Sequence, residues 1–241
     1  MILTAHQPVY LPWLGLFHKI ALADAFVSFN RVQYLAKDWN NRNKILTNQG
    51  PIWLTVPVLS SGHREKHIGE IEINNSLPWP RKHWKSLRLN YGKAPYFARY
   101  ADYFEDVWLR REWRYLTELN DSMLRWFLST LGIEVAFHSA GDFAFEGKKS
   151  ALVLDMCRKM GTDAYIFGAL GRDYADAEAF SREGVGLYFQ DYHHPEYPQQ
   201  HPGFLSHLSI VDLLFNVGPA SLDVLMSGNL DKAGLRASLR R

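Results

Sequence analysis

The opening of the chain leaves little freedom in what it can fold into. Met1 to Ala5 is a short apolar run, and it breaks at His6-Gln7 against Pro8, which has no backbone N–H to continue a sheet ladder. Pro12 then suits the first turn of a helix, where a missing N–H is harmless, and Trp13, Leu16, Phe17 and Ile20 follow at helical spacing. This reads as strand, short loop and helix. In an open α/β sheet such a junction is where ligands sit, beyond the carboxyl end of a strand and near a helix N-terminus. His6, Gln7 and Tyr10 are expected to face that ligand.

A second apolar run, Ala25 to Phe29, follows Asp24, so residues 2–29 read as β-α-β with the right-handed crossover of parallel strands. The alternation returns later in the chain. Glu134 to His138 is strand-like, Lys148 to Met160 helical and stopped by Gly161, Ala164 to Phe167 a strand, Asp176 to Arg182 a helix, and Gly186 to Gln190 a strand. Between these halves, Pro80 to Gly132 carries apolar and aromatic residues at helical spacing, such as Trp84, Leu87 and Tyr91, which read as core-facing stripes. The expected fold is therefore α/β, a mostly parallel Rossmann-like sheet with a helical insert at about residues 80–132. Residues 1–218 are expected to form a single domain, followed over 219–241 by a C-terminal helix and a polar, frayed tail. Ser209-Ile-Val-Asp212 reads as a capping box that opens a helix.

Composition narrows the class. With 47% apolar residues in 241, the chain can bury a sizeable core. No run of roughly 18 apolar residues occurs, and Pro8 and Pro12 interrupt any signal-peptide pattern, so a cytoplasmic protein without a membrane span is expected. A single cysteine, Cys157, excludes an intrachain disulfide, and its helical setting marks it as a small core residue. The net charge of +2 hides an asymmetry: residues 1–100 hold 13 Lys/Arg against 5 Asp/Glu, and the remainder holds 14 against 20. A basic first half suits an anionic small molecule such as a sugar nucleotide or acyl donor, or simply packs on the acidic half. Near-neutral overall charge argues against dedicated nucleic-acid binding.

Chemistry-bearing residues gather in three further stretches. Asn30 to Gly50 mixes cations, amides and aromatics, a composition that reads as a surface loop and not as core; Arg42 and Lys44 are candidates for a phosphate, and Tyr34 and Trp39 for a ring. Beyond a turn at Asn48-Gln-Gly50, Ile52 to Val58 alternates as a half-buried strand, and Ile68, Ile71 and Ile73 suggest another after a basic loop, Ser60 to Lys66, that reads as a lid. Gly168-Ala-Leu-Gly171-Arg-Asp173-Tyr174 repeats the strand-end logic, presenting Asp173 and Tyr174 where glycine lets the backbone approach a ligand. Asp191 to Pro202, rich in Pro, His and Tyr, reads as a fixed loop over the site, contributing Tyr192 and His194 beside Gln190 at the end of the preceding strand. His63 with His67, and His193, His194, Glu196 and His201, are the only candidate metal sets, and neither has a defined geometry, so no metal is assigned.

Several of these runs together carry a resemblance: His6-Gln-Pro-Val-Tyr-Leu-Pro-Trp, Asn40-Asn-Arg42-Asn-Lys44, Trp53-Leu-Thr-Val-Pro57, Gly168 to Tyr174, and Phe189 to Gln199. In this order, over about residues 2–218, the chain resembles the WbqC-like family. The resemblance implies a pathway, O-antigen, polysaccharide or natural-product synthesis, more than a reaction.

Two functional expectations follow. The first is a transferase moving an acyl or aminoacyl group to or from an activated, nucleotide-linked or phosphorylated small molecule, with an amino-sugar acceptor implied by the resemblance. His6, Asp173 and His194 are its candidate catalytic residues; Gln7, Tyr10, Arg42, Lys44, Gly168, Tyr174, Gln190 and Tyr192 are its candidate substrate contacts. No cofactor is named by the sequence. The second is a non-catalytic sugar-nucleotide or nucleic-acid binding module that assists a glycosyltransferase, because cations interleaved with aromatics bind without chemistry.

Overall fold

The computed structural model describes residues 1–59 and 66–239. Five parallel strands make the main sheet: β1 (Ile2–His6), β2 (Ala25–Ser28), β5 (Ala136–Ser139), β6 (Ala164–Phe167) and β7 (Gly186–Phe189), in spatial order β5-β2-β1-β6-β7. Between β2 and β5 the chain builds a separate antiparallel hairpin, β3 (Arg42–Thr47) and β4 (Gly50–Thr55). The helices are α1 (Leu14–Ala21), α2 (Trp79–Tyr91), α3 (Phe97–Glu105), α4 (Leu116–Leu131), α5 (Ser150–Met160), α6 (Ala177–Arg182), α7 (Ile210–Val217), α8 (Ser221–Met226) and α9 (Lys232–Ser238). This is the Rossmann-like α/β fold with a central helical stretch.

Alternation along each strand explains why helices cover both faces. On β2, Phe26 packs with α1, α4 and the hairpin, while Ala25 and Val27 pack with α5 and α6 through Val153, Met156, Cys157 and Phe180. Cys157 is buried there, and burial raises its thiol pKa to about 11, as befits a core residue. Strand order reverses between β1 and β6, so their carboxyl ends diverge and open a crevice. His6 ends β1, Gly168 follows β6 and Gln190 follows β7, which places all three at one sheet edge.

Several expectations change. The segment 30–50 is not a surface loop throughout: Tyr34, Asn40, Asn41 and Asn43 are buried. The amides can be buried because their Nδ2 groups donate to the Pro8, Val56 and Leu11 carbonyls, pinning β1's loop to the hairpin. Ile68, Ile71 and Ile73 are core residues, but around a 3-10 turn and single bridges instead of a strand. The supposed lid lies outside the described residues except for Lys66, as does His63. Ser209 does cap α7, accepting from Val211 N–H, yet Asp212 does not complete a capping box; its carboxylate is buried and accepts from Tyr91, Tyr197 and Gln199. Within residues 219–239 the chain forms α8 and α9, and α9 buries Leu235 and pairs Lys232 and Arg236 with Asp24.

Candidate functional site

The crevice between β1 and β6 is a cleft of ≈ 1100 Å³. His6 and Gln7 lie on its floor, α1 and α5 enter it by their N-terminal turns, Trp13 and Trp39 line it, and Gly168 to Gly171 with Tyr174 form a further part of its wall. The loop after β7 completes it with Gln190, Asp191, Tyr192 and His194, joined by His207. Helices that run antiparallel to the strands bring their N-termini to the strand ends, so N–H groups and positive dipole ends converge where a ligand enters.

The His6 ring has a defined tautomer. Its Nδ1–H donates to the Gln7 carbonyl at 2.8 Å, so Nε2 carries the lone pair and has no partner among the described residues. Trp13 meets the imidazole edge-on, ring centroids 5.5 Å apart. Protein atoms surround the ring although part of it stays open to the cleft, and burial, then the Lys19 charge, push its pKa down to about 3, against a small upward effect of the Gln7 hydrogen bond. His6 is neutral at physiological pH. It is an acceptor that becomes a stronger base only if negative charge arrives beside it.

Lys19 is the residue that sequence reasoning missed. It lies on α1, where every residue from Leu14 to Ile20 is buried, and it is 4% exposed. Its ammonium donates to the Ala5 carbonyl at 3.0 Å and, among the described residues, forms no ion pair with a carboxylate. Burial lowers its pKa to about 8, so it is still mostly charged at neutral pH. The available signal was a lysine inside a short helix whose other residues are almost all apolar, beside Leu16, Phe17 and Ile20, where a charge is out of place.

Of the expected contacts, Gln7, Gly168, Tyr174, Gln190, Tyr192 and His194 line the cleft with His6, whereas Tyr10, Arg42, Lys44 and Asp173 do not. Tyr10 is fully buried and its hydroxyl bonds His83 Nδ1 at 2.8 Å, so it is a core residue. Asp173 ends a 3-10 turn, Ala169–Asp173, and faces solvent, so the turn carries it away from His6's cleft. Arg42 and Lys44 sit on β3 with their charges over the Trp53 ring, 4.3 and 5.0 Å from its centroid. Gly171, not Gly168, is the glycine its turn requires, because a Cβ there would stand 2.5 Å from Phe167 Cβ, whereas one at Gly168 would meet nothing.

Gln190 and Tyr192 also brace the fold. Gln190 Nε2 donates to the Gly15 carbonyl at 2.8 Å and to His18 Nδ1 at 2.9 Å, while Tyr192 donates to the Leu225 carbonyl at 3.1 Å. His194 donates from Nδ1 to the Pro195 carbonyl, leaving Nε2 buried without a partner, and its ring lies 5.3 Å from that of His207. Burial lowers the His194 pKa, so it too is a neutral acceptor. Among the described residues no three His, Cys, Asp or Glu side chains are grouped to hold a metal ion, and no helix is long and apolar enough to cross a membrane.

The sequence is similar to that of a curated protein over nearly its whole length. The chain is 34% identical over 220 residues to "Uncharacterized protein Rv1507c" of Mycobacterium tuberculosis, covering 91% of this chain and 95% of that protein. No solved structure matches it. The model of the WbqC-like protein family matches residues 7–224, from the end of β1 through the cleft-forming loops and into α8, and on that match the chain belongs to the WbqC-like protein family.

Proposed function

We propose that this protein is a group-transfer enzyme that moves an acyl or aminoacyl group from an activated, nucleotide-linked or phosphorylated donor to an amino-sugar. One observation carries the reading: a buried lysine ammonium, without a carboxylate partner among the described residues, lies at the strand-order reversal beside a histidine whose Nε2 is unpartnered. A charge left unpaired in such a place is stabilised by an anion that arrives with the ligand or forms during reaction.

In such a transfer the acceptor's amine attacks the acyl carbonyl. A nitrogen–carbon bond forms, the carbonyl oxygen becomes an oxyanion, and Lys19 supplies the nearby positive charge. His6 Nε2 takes the proton lost by the amine; the bond to the leaving group then breaks and that proton goes to the departing atom. Burial is the larger cause of the low basicity of His6 in the empty cleft and Lys19's field the second, and it is this second part that a ligand's negative charge can relieve. An oxyanion at Lys19 cancels that field, so His6 gains proton affinity as the transition state forms, which is differential stabilisation. The amino-sugar acceptor rests on the pathway that the family resemblance implies.

A non-catalytic binding module is favoured by the same neutral His6, which makes a good fixed acceptor. Lys19→Met and His6→Gln separate the readings. Lys19→Met should weaken binding of inorganic phosphate and of phosphorylated sugars by roughly tenfold or more, as expected for loss of a charge-assisted contact. Phosphate affinity unchanged in Lys19→Met rejects the anion site in either form. His6→Gln with intact affinity and turnover lower by about 10²-fold or more supports chemistry over binding alone.

A further inference from the structure

The cleft does not end at Trp39. The Trp13 ring that meets His6 lies 5.7 Å from Trp39, and Trp39 lies 5.3 Å from Trp53, centroid to centroid, so an aromatic path leads from the cleft floor onto the outer hairpin. Trp53 is 41% exposed, an unusual position for an indole unless something covers it. At this outer end stand two cations from alternate positions of β3, Arg42 and Lys44, both directed at the same ring. Neither forms an ion pair among the described residues. Arg42 gives Nη2 to the Lys37 carbonyl, while its Nε is buried with no partner. Asp38 is the carboxylate of this neighbourhood; it accepts the Trp39 N–H at 2.7 Å and lines the cleft.

We infer that Trp53, Arg42 and Lys44 form an outer subsite for the nucleoside-diphosphate handle of a substrate, joined to the reaction cleft by Trp39. A guanidinium and an ammonium over one indole present donors to adjacent phosphates, and the rings give the rest of an extended ligand an apolar track inward. Such a handle is shared by thioesters of the coenzyme A type, which would carry the acyl group of the donor, and by sugar nucleotides, which would carry the amino-sugar acceptor; both place an anionic nucleoside diphosphate at one end and the reacting group at the other. The inference rests on the group-transfer reading of the cleft. It divides the ligand's work: the outer subsite holds and the His6–Lys19 floor reacts, so remote binding energy supports the chemical step.

Titration calorimetry with inorganic phosphate, pyrophosphate, UDP and coenzyme A tests the subsite. In Lys44→Ala, whose side chain makes no hydrogen bond among the described residues, and in Arg42→Ala/Lys44→Ala, affinity for pyrophosphate, UDP or coenzyme A should fall roughly tenfold or more, while inorganic phosphate at Lys19 is unaffected. Lys19→Met should show the opposite pattern, so failure of the cleft reading and failure of this one look different. A preference for UDP identifies the sugar-nucleotide source and a preference for coenzyme A the thioester source; either supports the subsite. Affinities within twofold of the unsubstituted protein for all three diphosphates in Lys44→Ala and in a correctly folded double variant overturn it, as does a lack of measurable binding of any diphosphate by the unsubstituted protein.

Discussion

The ammonium of Lys19 rests on the carbonyl oxygen of Ala5, 3.0 Å away, the residue that immediately precedes His6 on β1. A helix residue and a strand end are thereby locked together, and the positive charge is held beside the histidine whose basicity it depresses. The arrangement makes the two titrations interdependent, and measurable.

Replacing Lys19 should alter the pH dependence of stability on the alkaline side. The folded state releases the Lys19 proton near pH 8 and the unfolded chain only near 10.5, so between these values the unfolded chain holds more protons and stability rises with pH. Lys19→Met removes this dependence. The difference in unfolding free energy should move in favour of the unsubstituted protein by about 1 to 3 kcal/mol across that window. Urea unfolding at several pH values checks it, and a constant difference contradicts it.

Acid should destabilise the fold earlier than its carboxylates alone predict. His6 and His83 both have pKa values lowered by burial to about 3, from 6.5. As pH falls from 6.5 to 3 the unfolded chain takes up protons that the native state refuses, so stability falls. Asp121 acts in the opposite sense, because burial raises its pKa to about 6 and its protonation favours the folded state as pH drops towards 3.8. The two histidines outweigh one carboxyl. His6→Gln should flatten the acid limb without abolishing it, read from Tm between pH 7 and about 4.

Asp212 anchors the loop that forms the cleft's outer wall. Its carboxylate accepts from Tyr91 at 2.8 Å, Tyr197 at 2.9 Å and Gln199 at 2.8 Å, and the residue is fully buried. Asp212→Asn turns an NH₂ group towards these donors and should lose about 2 to 4 kcal/mol of stability. Faster proteolysis within residues 191–207 than elsewhere would show that the loop is released first; an unchanged cleavage pattern would count against the anchor.

The two glycines after β6 should respond differently to alanine. Gly168→Ala should change stability by no more than about 0.5 kcal/mol, since its φ of −69° suits any residue and its Cβ meets open space. Gly171→Ala drives a methyl into Phe167 and should destabilise by roughly 1 to 3 kcal/mol. Thermal unfolding of both variants decides it.

Local pattern made much of the architecture legible. Ala164 to Phe167 is a strand over the same residues that its apolar run suggests, Gly132 and Gly161 end α4 and α5 in the left-handed conformation, and His6, Gly168 and Gln190 stand where their strands end. Such features depend on residues within a few positions of one another, so propensity, capping and turn chemistry report them directly. The segment 30–50 reads as a loop because its composition is polar, although much of it is buried. The amides of Asn40, Asn41 and Asn43 are buried only by virtue of carbonyls 15 or more residues away, which no local pattern contains.

Strand–turn–helix units and seven of the residues around the cleft were legible from periodicity and from where each strand must stop, and the family from the order of the motifs. Tertiary structure alone decided which charged groups matter. It put Tyr10 into the core against His83, turned Asp173 to solvent, carried Arg42 and Lys44 out to Trp53, and brought Lys19 to the cleft floor. The physical reason is that a charge acquires its meaning from its dielectric surroundings and its distance to other charges. Both are set by packing between segments far apart in the chain: β1 meets β6 across a sequence separation of 162, as Thr4 bonding to Ile166 shows.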